Sequence, residues 1–166
     1  MLTTKHRRSI RVPGFDHTNP GPYFITIVTE GRISHFGKII GSDMVLNQLG
    51  EIVQQEWLRM ANRFPGLRLE EYIVMPNHFH GLLFLDEKRN LEEETVQSQR
   101  GSLGAIVRAF KSSTTLRYRH LCGDGKGPLW QRSYYEHIVR GARDYDSIRF
   151  YILNNPSQWE TDKLHV

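Results

Sequence analysis

The sequence predicts an α+β fold, an antiparallel sheet with helices packed mainly on one face. Three observations carry that prediction. Ile25, Thr26, Ile27, Val28 and Thr29 form an unbroken β-branched run. Leu46, Leu49, Val53, Trp57 and Met60 recur at helical spacing. Two apolar segments, about 67–75 and 78–85, are parted only by Pro76 and Asn77, so they read as a strand pair. Helices separated by paired strands give a sheet covered by a helical layer.

The elements follow in order. After Gly14, Pro20, Gly21 and Pro22, which mark irregular chain, Tyr23 to Thr29 is the first strand. Phe36 to Ile40 pairs with it or with a neighbour. An amphipathic helix occupies roughly 43–62, with Ser42 or Asp43 as its cap, and Pro65 and Gly66 end it. The strand pair comes next. Residues 86–102 are acidic and poor in apolar side chains, which predicts a flexible loop. Leu103, Ile106, Val107, Phe110 and Leu116 then stripe a helix over about 103–119. A loop over Gly123 to Pro128 leads to a strand from Tyr134 to Val139. Asp144 can cap a last helix that runs to about Asn154, where Pro156 stops it.

The 166 residues suit one domain, with a basic arm over 1–13. An apolar content of 39% supports a core without disulfides, and Cys122 has no partner to form one. No apolar run approaches the ~20 residues needed to span a bilayer, and the basic start lacks the apolar stretch of a secretory signal. The expectation is a cytoplasmic protein without a membrane partner. The formal charge is +4, unevenly spread. Lys5, Arg7, Arg8 and Arg11 precede the first acidic residue, and Arg108, Lys111, Arg117 and Arg119 form a second acid-free cluster. Two such patches point to a polyanion, of which nucleic acid is the usual case. A merely solvated basic surface has the same composition.

The run Met75-Pro76-Asn77-His78-Phe79-His80 is the most informative in the chain. Residues two apart on a strand share a face at roughly 7 Å between Cα atoms, so His78 and His80 can chelate one metal ion while Phe79 faces the opposite side. Alone, such a pair is more often two strand histidines without a ligand. Tyr151 and Asn155 lie one helical turn apart. An amide oxygen is a third ligand for Mg²⁺ or Mn²⁺, and a phenol is a nucleophile, though only about 0.1% ionised at neutral pH. Equally, Tyr151 can be a core or rim aromatic and Asn155 a helix-end residue. Tyr134 and Tyr135 compete as nucleophiles but read better as packing beside Trp130. His137 reads as a polar residue on the solvent side of the sheet or as a DNA contact.

The histidine run, Trp130-Gln131 ahead of Tyr134-Tyr135, and Tyr151-Ile152-Leu153-Asn154-Asn155-Pro156 together resemble the REP-associated tyrosine transposases, REP being a repeated extragenic palindrome. These belong to the single-tyrosine HUH superfamily, and the resemblance runs from Arg8 to about Trp159. It implies a ferredoxin-like core and a divalent metal, Mg²⁺ or Mn²⁺, held by His78, His80 and Asn155. Some relatives carry Gln at the position of Asn155. Tyr151 would attack DNA and form a 5′-phosphotyrosine intermediate, so the enzyme would nick and rejoin single-stranded DNA beside a hairpin, as monomer or homodimer. The arm Lys5–Arg11 and the cluster Arg108, Lys111, Arg117 and Arg119 would hold that DNA. Two rivals stand beside it. A nucleotide hydrolase with a histidine nucleophile commonly offers a third alternating histidine, and Leu82 occupies that place here. A non-catalytic hairpin-binding protein with a vestigial metal site would keep the same basic patches.

Overall fold

A computed structural model describes residues 19–86 and 101–165. The basic arm and most of the acidic stretch 86–102 lie outside the described residues.

Strand β1 (Gly21–Val28) is the β-branched run expected, and it sits inside the sheet. It pairs antiparallel with β5 (His78–Leu85) on one side and with β6 (Tyr135–Ile138) on the other. Strand β4 (Leu67–Met75) pairs antiparallel with β5, so the sheet order is β4-β5-β1-β6. With α1 (Gln48–Arg63) before β4 and α2 (Leu103–Cys122) before β6, the chain reads β-α-β-β-α-β, the ferredoxin-like arrangement.

Alternation along the strands divides the sheet into two faces. Tyr23, Ile25, Ile27, Phe79, Leu83 and Leu85 face α1 and α2, which contribute Leu49, Val53, Trp57, Ile106, Val107 and Phe110 to the same core. Trp57 crosses directly above Gly81. A Cβ at position 81 would sit 2.9 Å from the Trp57 ring and 2.8 Å from the Phe79 ring, so only glycine permits this approach. The opposite face carries Phe24, Leu82 and Val139, covered by Ile152 of helix α3 (Gly141–Asn154). The two longest helices therefore share one face, and α3 packs on the other. Every residue of β5 but Phe84 is buried, which places His78 and His80 in the molecular interior.

One sequence expectation needs correction. The first helix does not begin at Asp43. Residues 37–46 form a hairpin, β2 (Gly37–Ile40) with β3 (Asp43–Leu46), turning through Gly41 at φ 64°. Asn47, not Ser42 or Asp43, caps α1, its side chain accepting the Gly50 N–H at 3.0 Å. Ile39, Ile40 and Val45 favour extended chain, and Gly41-Ser42 supplies the turn. Leu46 belongs to both patterns, which is why the apolar spacing extended too far upstream.

Asp144 does serve the start of α3, from inside the helix. Its Oδ2 accepts the backbone N–H of the cap residue Arg140 at 2.8 Å. Beyond α3 the chain turns at Pro156 into a short 3-10 segment (Pro156–Thr161), after which the Leu164 carbonyl accepts from Asn77 in the turn that precedes β5.

Candidate metal centre and tyrosine cleft

His78 opens β5 and His80 follows on the same face, with ring centroids 4.5 Å apart. Each is held from behind. The Asn77 amide donates from Nδ2 to the carbonyls of Arg32 (3.1 Å) and Leu164 (2.8 Å). With both amide hydrogens used, its Oδ1 must accept, and it lies 2.8 Å from His78 Nδ1. His78 therefore carries its proton on Nδ1, and the Nε2 lone pair is left facing inward with no hydrogen-bond partner. His80 Nδ1 shares a 2.8 Å hydrogen bond with Thr26 Oγ1, and its Nε2 lies 3.3 Å from the Tyr151 hydroxyl. Phe24 stacks on His80 at 5.3 Å and meets Tyr151 edge-on at 6.2 Å, fixing both rings.

Asn155 ends α3 and is 1% exposed. Its Nδ2 donates to Asp162 Oδ2 at 3.0 Å, while Oδ1 is buried without a partner. His78, His80 and Asp162 each offer a ligand atom, all within 4.8 Å of one another. Two inward-facing orphan acceptors beside a carboxylate are what a divalent cation would satisfy, because buried lone pairs are otherwise costly. The donor set of imidazole, amide and carboxylate fits such an ion.

Burial pushes the His78 pKa down to about 4, against the opposing pull of Asp162 and Asn155. Burial, with His78 close by, also holds His80 well below its usual value. Both rings are thus neutral at pH 7, the state that ligation requires. Tyr151 shifts the other way. Burial and the negative charge of Asp162 raise its pKa, while a hydrogen bond with Asn155 acts against them. Without added positive charge the phenol is harder to ionise than a free one.

Tyr151 opens into a cleft of about 630 Å³ that His80, Gln131, Tyr134, Tyr135 and Asn155 also line. Tyr135 is 47% exposed there, its ring edge-on to Phe24 at 6.5 Å, whereas Tyr134 packs against the main core. His137 pairs with Asp144 at 2.9 Å, bracing the start of α3. The four sequence-derived site residues on β5 and α3 are therefore brought together.

Comparison with known structures bears on what this architecture is. The structure of a REP-associated tyrosine transposase bound to a REP hairpin matches with a TM-score of 0.58 and 21% identity, over 83% of this chain and 67% of that one. A crystal structure of a candidate transposase from Deinococcus radiodurans R1 matches with a TM-score of 0.50 and 20% identity, over 87% and 95%. The fold is that of the REP-associated tyrosine transposases. No protein-family model matches the chain. An uncharacterized protein of Haemophilus influenzae is 41% identical over 99% of both chains. The chain belongs to one family with that protein.

The basic residues are less uniform than their sequence implies. Lys5, Arg7, Arg8 and Arg11 lie outside the described residues. On α2, Lys111 Nζ donates to the carbonyls of Gln131 (2.6 Å) and Arg132 (3.0 Å), and Arg117 Nε lies 3.6 Å from Glu56 Oε1. Arg108 and Arg119 are exposed. Eleven residues is close to three turns, so those two lie on one stripe of the helix.

Asn77, Thr26 and Asp162 were not singled out by sequence reasoning. Asn77 had a signal in its place directly before His78. Thr26 reaches His80 only through strand pairing, and Asp162 reaches Asn155 only because the chain reverses at Pro156.

Proposed function

We propose that the protein nicks and rejoins single-stranded DNA beside a hairpin, with Tyr151 as nucleophile and a divalent cation, Mg²⁺ or Mn²⁺, held by His78, His80 and Asn155. The observation that carries this reading is the Tyr151 hydroxyl 3.3 Å from Nε2 of a buried, neutral His80, in an open cleft beside two orphan acceptors.

The cleft admits an extended strand, and the exposed rim of Tyr135 offers a base a flat face. Tyr151 gives its phenolic proton to water in the open cleft, from which the departing 3′ oxygen takes one back, and the phenol oxygen forms a bond to phosphorus in line with that 3′ oxygen. The P–O3′ bond breaks, the 3′ oxygen takes up a proton, and the 5′ side stays esterified to Tyr151. A divalent cation supplies charge neutralisation at the scissile phosphate and at the developing 3′ oxyanion when bound. Phe24 and Asn155 hold the phenol in place, while Asn77 and Thr26 keep the histidines turned inward. One phosphodiester replaces another, so an incoming 3′-hydroxyl can reverse the step and join new ends without ATP.

Hairpin DNA is the substrate class favoured by the fold, since the REP-associated neighbour was bound to such a hairpin. In this reading Arg108 and Arg119 contact the phosphates of a stem, and the arm Lys5–Arg11 contacts the flanking strand.

The test incubates the protein with Mn²⁺ and labelled hairpin oligonucleotides carrying single-stranded flanks. A denaturation-resistant protein–DNA adduct is expected, absent from Tyr151→Phe. An adduct that persists in Tyr151→Phe removes Tyr151 as nucleophile. Tight binding with no adduct under any metal replaces the enzyme with a hairpin-binding protein.

A further inference from the structure

We propose that Asp162 binds the cation directly, as the anionic ligand of a four-residue set with His78, His80 and Asn155. The inference rests on the metal centre proposed above and adds to it a residue from the C-terminal segment.

Geometry is the first support. The ligand atoms of His78, His80 and Asp162 lie within 4.8 Å of one another. A divalent ion with bonds of about 2.1 Å spans opposed ligands about 4.2 Å apart. Closing the set therefore asks for roughly half an ångström, within the reach of a side-chain torsion.

The carboxylate is also aimed and incompletely used. Its Oδ1 accepts the Leu164 N–H at 2.7 Å and its Oδ2 accepts Asn155 Nδ2 at 3.0 Å. Each oxygen keeps a further acceptor site. No ion pair with a cationic side chain is found for Asp162 among the described residues. A half-buried carboxylate without a counter-charge, beside two orphan acceptors, is an unbalanced arrangement that a cation would complete.

Charge is the third support. The two imidazoles and the Asn155 amide are neutral donors, and a hard cation such as Mg²⁺ or Mn²⁺ prefers at least one anionic oxygen. Asp162 is the only carboxylate grouped with these histidines among the described residues. Its charge already reaches both His78 and Tyr151. The same contact explains how the Asn155 amide is oriented. Donation of Nδ2 to Asp162 leaves Oδ1 directed at the histidines, so one carboxylate serves both as ligand and as the anchor of another ligand.

Isothermal titration of the full-length chain with Mn²⁺ tests this, together with the water-proton relaxation of the bound ion. Asp162→Asn keeps one oxygen, which can still accept the Leu164 N–H, but replaces Oδ2 with an amide NH2 and removes the charge, so the relaxation readout separates a lost ligand from a turned Asn155. The expected result is at least a tenfold weaker Mn²⁺ affinity, and a rise in relaxation as water takes the place of the carboxylate. Metal-free thermal melting should stay close to that of the parent, which separates lost ligation from lost folding. Affinity within twofold of the parent would overturn the proposal and leave Asp162 as an anchor for Asn155 alone. A parent chain that binds neither Mn²⁺ nor Mg²⁺ overturns both this inference and the metal centre. The nuclease reading fails separately, through the Tyr151→Phe adduct assay, which reads covalently held DNA and not bound metal.

Discussion

At the scale of single residues, the site is a set of side chains whose lone pairs are aimed by their neighbours. Asn77 uses both amide hydrogens on carbonyls, and this decides which nitrogen of His78 is protonated. Asn77→Ala is expected to weaken Mn²⁺ binding by about 10- to 100-fold, as loss of an outer-shell partner commonly does; calorimetry against the parent reads this directly. Burial of His78 also makes stability depend on pH. Its folded pKa of about 4 lies below the unfolded value of 6.5. Between those values the unfolded chain binds the extra proton, so stability rises with pH through the window and falls as pH drops through it. A difference of that size corresponds to about 3 kcal/mol. In metal-free urea titrations, His78→Gln should lose less stability than the parent between pH 6.5 and 4. Equal losses would show that burial of this ring is not the cause.

At the scale of elements, local chemistry and packing set where each piece begins and what it can carry. Asn47 caps α1 from its Oδ1 and also donates to the His35 carbonyl at 2.9 Å. Asn47→Ala should cost about 1 kcal/mol in denaturant unfolding, with little effect on metal or DNA binding. Helix α2 separates two kinds of basic residue that look alike in sequence. Lys111 ties down the Gln131–Arg132 backbone, so Lys111→Ala should lower the melting temperature. Arg108→Ala and Arg119→Ala should leave melting unchanged and each reduce the salt slope of hairpin binding by about 1. An equal effect of all three on the slope would place Lys111 at the DNA after all.

At the scale of the whole molecule, the fold brings strand β5 against α3 and the C-terminal segment that follows it. Strand β5 supplies the histidines, α3 the tyrosine and asparagine, and the returning C-terminal segment Asp162 and the Trp159 ring 5.9 Å from His78. A cation at their junction should stabilise the folded chain by about 2.7 kcal/mol at a hundredfold excess over its Kd. Thermal melting with and without Mn²⁺ measures that, and no shift at saturating metal would contradict a centre shared by these segments. Among the described residues, no helix is long and apolar enough to cross a membrane.

Much of this was legible in the residues themselves. The β-branched run of β1 and the Pro-Asn break between β4 and β5 specify their elements by local sterics. Strand alternation puts His78 and His80 on one face, and helical periodicity keeps Tyr151 within a turn of Asn155. These are short-range rules, fixed by backbone geometry over a few residues. Where α1 starts was misread because Leu46 satisfies a strand and a helix pattern at once, and only the pairing of β3 with β2 resolves it. The approach of Asp162 to Asn155, the pairing of Thr26 with His80 and the engagement of Lys111 by Gln131 and Arg132 lay beyond any periodic pattern. The first depends on the non-periodic turn at Pro156, and the other two join segments far apart in sequence, a balance of long-range packing that spacing along the sequence does not encode.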